Sequence, residues 1–187
     1  MPFTVTSFPG VIIFDPAVFP DDRGFFFESY NQRLFHANQI TNVFVQDNQS
    51  FSAYGVIRGL HYQREPHVQS KLVRVLQGTI LDVVVDMRTG SPSFGKSFGI
   101  ELSAENKKQI FIPAGFAHGF SVLSETAEIS YKCDQFYNKQ SEAGIRYNDP
   151  YLNIDWKIPR DQELISAKDL LLPVFNSSVK DFIYPDV

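Results

Sequence analysis

The chain is poor in cysteine, in long apolar runs and in clustered charge, and each shortage removes a class of protein. Cys133 is the one cysteine in 187 residues. It cannot form an intrachain disulfide and fits a reducing, cytoplasmic compartment. As a nucleophile it is a weak candidate, because an isolated Cys is more often a small buried hydrophobe. No apolar run approaches the roughly 18 residues of a membrane-spanning helix. The opening residues, Met1 to Pro16, have neither the basic nor the apolar region of a secretory signal. The formal net charge is −4 with the signs interspersed, so neither nucleic acid nor an anionic membrane is the expected partner, although a local basic pocket for a phosphate is compatible with it. Internal repeats and low-complexity tracts are also absent.

What is present suits one all-β domain spanning residues 1–187. Aromatics make up 14% of the chain with eighteen phenylalanines, and eleven glycines and eleven prolines are scattered along it, a composition of short strands and tight turns. Val11–Phe14 and the aromatic stretch Phe25–Tyr30, separated by turn residues Pro20 to Gly24, read as an N-terminal hairpin. Asn31 is placed to cap a short helix through about Gln39. Eight β-type segments follow, Val43–Ser52, Val56–Gln63, Lys71–Leu76, Thr79–Asp86, Phe94–Leu102, Gln109–Ile112, Ala117–Leu123 and Ala127–Cys133, and that spacing predicts a barrel or a jelly roll. In Lys71–Leu76 polar and apolar residues alternate, so Lys71 and Val73 share one face while Leu72 and Arg74 share the other. A C-terminal helical segment is expected over about 161–187, with Gln162–Leu172 helical up to Pro173, packed across the barrel.

The chemistry concentrates between Gly55 and Gly78. Gly55, His61, Gln63, Lys71 and Gly78, followed by the intact run Pro113-Ala114-Gly115-Phe116-Ala117-His118, resemble the two signature motifs of the cupin superfamily. The metal-binding versions supply His, His, Glu and His, since a divalent transition ion needs three or four converging N/O ligands. Here an amide, Gln63, replaces the second imidazole and an ammonium, Lys71, replaces the carboxylate. No catalytic metal is expected. Two histidines and a lysine favour instead an anion or a developing negative charge.

The flanks narrow the resemblance. Asp22 to Tyr30, Phe44 to Asn48, Arg58 to His61, Leu102 to Asn106, Ile112 to Phe120 and Ser166 to Asp169 together resemble the dTDP-4-dehydrorhamnose 3,5-epimerase family over about Val11 to Pro173. The resemblance implies a cofactor-independent isomerase that inverts C3 and C5 of dTDP-4-dehydro-6-deoxy-D-glucose, giving dTDP-4-dehydro-L-rhamnose. Both carbons are α to the C4 carbonyl, so epimerisation requires a base on one face, an acid on the other and a group that holds the enolate. By resemblance His61 is the base, Asp169 its dyad partner, Tyr131 the acid and Lys71 the enolate stabiliser. The resemblance also implies Arg23, Arg58 and Lys168 at the diphosphate and Glu28, Gln46, Asp47 and Asn48 on the nucleotide or sugar. It further implies Phe136 or Tyr137 stacked on thymine, and His118 and Glu142 in the sugar site. It implies a homodimer too, in which N-terminal strands at about 11–30 cross to the second subunit, so that Arg23 and Glu28 serve the partner's site. His36 and His67 match nothing and are expected at the surface.

Three other functions remain open from the residues. One is a mono-epimerase of a related dTDP-4-keto sugar. Another is a ketoisomerase on the same scaffold, which Tyr131 argues against, because a same-face transfer needs no opposing acid. The third is a non-enzymatic cupin that binds a nucleotide sugar.

Overall fold

The structure, a computed structural model, describes residues 2–176 and 180–184. The N-terminal elements are β1 (Phe3–Val5), β2 (Ile12–Phe14), β3 (Phe19–Asp21), β4 (Gly24–Phe26) and helix α1 (Gln32–Ala37). Then come β5 (Gln46–Ala53), β6 (Val56–Gln63), β7 (Lys71–Gln77), β8 (Thr79–Asp86), β9 (Arg88–Thr89), β10 (Ser97–Ser103), β11 (Gln109–Ile112), β12 (Phe116–Val122) and β13 (Thr126–Cys133). The C-terminal part contributes β14 (Glu142–Gly144), a 3-10 turn (Arg160–Gln162), β15 (Leu164–Ile165), α2 (Ala167–Leu170) and β16 (Phe182–Ile183). No helix among the described residues is long and apolar enough to cross a membrane.

Two sheets face each other. One runs β1-β2-β11-β7-β13-β5; the other runs β10-β8-β12-β6-β14, with β15 added parallel to β6. This is the expected cupin-type jelly roll. Period-two alternation fills the space between the sheets: Val73 and Val75 of β7, Ile80 and Val84 of β8, Ile110 and Ile112 of β11, Phe120 and Val122 of β12 and Ala127 and Ile129 of β13 form one buried cluster. Intervening residues build outer layers. Leu72 packs with Phe14, Phe35 and Ile40 beneath α1. Val83 and Val85 pack with Ile57, Leu60, Tyr147 and Trp156 under the C-terminal segments. Fully buried Phe35 anchors α1, and Asn31 caps it by accepting from the Arg33 and Leu34 amides.

Two expected elements change. The aromatic strand is limited to Gly24–Phe26, paired with β3 in a small separate hairpin. The C-terminal helix from Gln162 to Leu172 is replaced by β15 and one turn of α2. Leu164 N donates to Gly55 O at 2.8 Å, and this pairing with β6 draws the backbone out of the helical path until Ser166 caps α2. A side chain at Gly55 would meet Gln162 O at 2.2 Å, and its φ is +82°, so the glycine is required for the close approach. The remainder of the expected segment, 177–179 and 185–187, lies outside the described residues.

Candidate active site

The open end of the sandwich holds two adjoining cavities, of about 710 Å³ and about 160 Å³. His61, Lys71 and Tyr131 line both. His61 stands on β6 in one sheet, whereas Lys71 and Tyr131 stand on β7 and β13 of the other. Base and acid candidates therefore face the cavity from opposite walls.

A bulge in β6 makes this wall. Pairing with β12 shifts register between His118↔His61 and Phe120↔Arg58, so one extra residue, Gly59, is inserted and both Arg58 and His61 turn inward although they are three apart. Gly59 has φ +127°, and a Cβ there would lie 2.6 Å from Gly119 Cα; no other residue fits without moving a strand. The amide of Gly59 also donates to Asp169 Oδ2 at 3.2 Å.

Asp169 comes from α2, whose cap Ser166 accepts from the Asp169 amide at 3.1 Å. His61 Nε2 lies 2.8 Å from Asp169 Oδ1. A carboxylate only accepts, so this contact puts the proton on Nε2 and leaves Nδ1 as the lone-pair nitrogen of the neutral ring. Burial pushes the Asp169 carboxyl up, but the hydrogen bond and charge of His61, the Gly59 amide and Ser166 outweigh it and hold the group below its usual value. The carboxylate paired with His61 thus stays ionised.

The opposite wall has the complementary character. Burial pushes the Tyr131 phenol up, the nearby Cys133 adds to the rise and Arg58 opposes it, so Tyr131 stays protonated and able to donate. Burial pulls the Lys71 ammonium down, against the raising influence of Cys133, Asp82 and Glu142. The Lys71 ammonium has no hydrogen bond or ion pair to another described residue. Cys133 itself is buried, with Asn48 Nδ2 at 3.6 Å from its sulfur.

Around this centre Arg58 reaches between the sheets, donating to Ser52 Oγ at 3.1 Å. Lys168 Nζ pairs with Glu142 Oε1 at 2.6 Å, and the other oxygen of Glu142 accepts from Tyr137 OH at 2.9 Å. Gln46 and Asn48 line the smaller cavity and touch each other at 2.9 Å. Phe136 and Tyr137 are 60% and 53% exposed beside it.

Besides Phe136, which is not among the residues lining either cavity, three candidates are not brought in. Asp47 falls on the alternate phase of β5 and pairs with Lys132 at 2.9 Å, away from the cavities. Arg23 sits at the tip of the β3–β4 hairpin, paired with Asp21 at 2.6 Å. Glu28 accepts from Asn31 near the start of α1 and lines a separate groove with Phe19 and Phe26. Neither Arg23 nor Glu28 reaches the cavity of its own chain.

Comparison with known proteins gives this geometry its relatives. The family model of dTDP-4-dehydrorhamnose 3,5-epimerase matches residues 5–177. The chain belongs to that family. A dTDP-4-dehydrorhamnose 3,5-epimerase from Pseudomonas aeruginosa is 56% identical over 170 residues, covering 90% of this chain and 93% of the relative. The crystal structure of a dTDP-6-deoxy-D-glucose-3,5-epimerase from Legionella pneumophila, in complex with dTDP-4-keto-L-rhamnose, superposes with a TM-score of 0.93 at 44% identity, covering 98% of both chains. A 3'-monoepimerase from Streptomyces bikiniensis, in complex with dTDP-quinovose, is more distant, at 31% identity and a TM-score of 0.83 over 90% of this chain and 85% of that one.

Within this epimerase-family site His118 lies where expected, and Asp82, which the sequence did not single out, stands beside it. His118 is buried and its Nε2 lies 2.8 Å from Asp82 Oδ2, a second His–Asp pair on the wall that carries His61. Asp82 is fully buried, and its Oδ1 has no partner among the described residues. A readable signal existed: Asp82 shares the inward phase of Ile80 and Val84, where a lone carboxylate requires a polar neighbour. His67 is not a free surface residue, since its Nδ1 contacts Ser141 Oγ at 3.0 Å.

Proposed function

We infer that the protein is a dTDP-4-dehydrorhamnose 3,5-epimerase, converting dTDP-4-dehydro-6-deoxy-D-glucose to dTDP-4-dehydro-L-rhamnose. The observation that carries this reading is a His–Asp pair and a protonated tyrosine on opposite walls of one cavity. His61 removes the proton at C3, and the C–H electron pair moves into the C4 carbonyl to give an enolate whose O4 faces the Lys71 ammonium. Tyr131 delivers its phenolic proton to the other face, and the electron pair returns from O4 to carbon. His61 then gives its proton to solvent and Tyr131 takes one back, and the same cycle at C5 inverts the second centre. No electrons leave the substrate, so no redox cofactor enters the balance.

Asp169 keeps the His61 tautomer that leaves Nδ1 free, and its negative charge favours the imidazolium formed on proton transfer. Arg58 and Lys168 bind the diphosphate, His118 and Glu142 the sugar, Gln46 and Asn48 the sugar or nucleotide, and Phe136 with Tyr137 the thymine face. Release of the glutamate partner of Lys168 toward a phosphate is electrostatically reasonable, because Glu142 and the diphosphate compete for one ammonium.

Substrate turnover in D₂O tests the assignment: deuterium enters at both C3 and C5. Label at neither carbon overturns the enzyme reading, and label at C3 alone identifies a mono-epimerase. In Tyr131→Phe the base still exchanges the C3 proton with solvent on its own face, while net epimerisation falls about 10²–10⁴-fold. Inversion by Tyr131→Phe at the parent rate rules out the phenol as the acid.

We further propose a homodimer in which the β3–β4 hairpin and the segment that follows it supply Arg23 and Glu28 to the neighbouring subunit. Its support is an exposed aromatic hairpin, with Phe19 61%, Phe25 58% and Phe26 67% accessible, together with the outer edge of β5, which pairs with no further strand among the described residues. Chains carrying Arg23→Ala, mixed and re-equilibrated with chains carrying Lys71→Met, regain activity beyond the sum of the two alone. A strictly additive result removes the shared site.

A further inference from the structure

Gln63 stands two residues beyond His61 on β6, pointing into the same cavity wall, and is 5% exposed. Three of the four hydrogen-bonding directions of its amide go to main-chain groups of two loops. Its Nε2 donates to His67 O at 2.6 Å and to Phe136 O at 3.2 Å, and its Oε1 accepts from Asn138 N at 2.6 Å. The Phe136 and Asn138 bonds bracket Tyr137. Gln69 reinforces the same loop from its other side, donating to Gln135 O at 2.6 Å.

The loop has further ties, with Tyr137 N donating to Gln46 Oε1 at 3.0 Å and Tyr137 OH to Glu142 Oε2 at 2.9 Å, but Gln63 is the side chain that holds the main chain on both sides of Tyr137 to β6. Phe136 and Tyr137 lie largely outside the core, so apolar burial does not fix their rings. A neutral imidazole in place of Gln63 has one donor and one acceptor and cannot satisfy two carbonyls and an amide together. The planar amide can, and it transmits the position of β6 to the aromatic pair across a single side chain.

We propose that Gln63 is a positioning residue for nucleobase recognition: it suspends the loop that carries Phe136 and Tyr137 from the strand that carries His61, and so sets the distance between the base-binding face and the reacting sugar. The proposal rests on the stacking role given to Phe136 and Tyr137 above, and it extends that role to a residue that does not touch the ligand.

The test uses Gln63→Met in the full chain, a change that conserves volume and removes every polar contact. Calorimetry with dTDP and with inorganic pyrophosphate separates the base from the phosphates. The dissociation constant for dTDP rises about tenfold while that for pyrophosphate moves by less than about twofold. Amide exchange in residues 135–138 accelerates relative to the strands. Unchanged dTDP affinity with unchanged exchange overturns the proposal, as does an equal loss for dTDP and pyrophosphate, which marks general collapse of the pocket. Gln69→Met removes only the outer tie and shows the same pattern more weakly; no change in loop exchange or dTDP affinity there overturns the proposal if Gln63→Met fails to fold. A Phe136→Ala/Tyr137→Ala double variant tests the stacking reading separately. If it retains full dTDP affinity, stacking fails, and the exchange measurement still decides whether Gln63 holds the loop.

Discussion

His61→Gln lowers turnover about 10²–10⁴-fold, and deuterium incorporation at C3 and at C5 falls together with it. Glutamine is the informative replacement. Its amide nitrogen occupies roughly the place of Nε2 and can still donate to Asp169, which now lies 2.8 Å from the ring, but nothing replaces the lone pair at Nδ1. The buried carboxylate keeps a partner, so the variant avoids the penalty of an orphaned charge and its melting temperature stays near that of the parent. Loss of exchange at both carbons is the decisive readout, because one base serving two centres predicts that both fail together. Exchange persisting at C5 requires a second base, and the His118–Asp82 pair on the same wall is the group that would have to provide it.

How much of this was legible in the chain varies with the physical origin of each feature. Strands Val56–Gln63, Thr79–Asp86 and Gln109–Ile112 are read to the residue, because alternation is a local property and each strand has one face committed to the core. The inward direction of Lys71 follows from the same periodicity, with Val73 buried beside it and Leu72 packed on the other face. The β-bulge at Gly59 is not readable in this way. It breaks the period by one residue, and its cause is non-local: Gly119 on the next strand and Asp169 from the C-terminal segment both crowd the position. The path from Gln162 to Leu172 fails for a similar reason, since intrinsic helix preference loses to a backbone pairing with Gly55. Asp47 illustrates a limit of resemblance: it stands between Gln46 and Asn48 in sequence, and a period of two sends it to the opposite face.

Lys71→Met is expected to trade activity for stability. Catalysis falls about 10²–10³-fold, the usual scale for losing one preorganised electrostatic contact to a developing oxyanion. Stability at neutral pH rises, because the parent keeps an ammonium where burial already pulls its pKa down and where it has no ion-pair partner among the described residues. The sign follows from proton binding. Between the lowered folded value and the ordinary lysine value of about 10.4, the unfolded chain holds a proton that the folded chain has released, so parent stability increases with pH through that window. The methionine variant lacks this slope, and its advantage narrows as pH rises. Denaturant unfolding of both proteins at pH 7 and at a pH inside the window measures the difference. Equal stability at both values, with catalysis still lost, leaves Lys71 as an enolate partner but shows that the cavity solvates it fully. A stabilised, inactive Lys71→Met protein shows instead that the fold tolerates this cation at a cost, and that the cost is met only when a negative charge forms on O4.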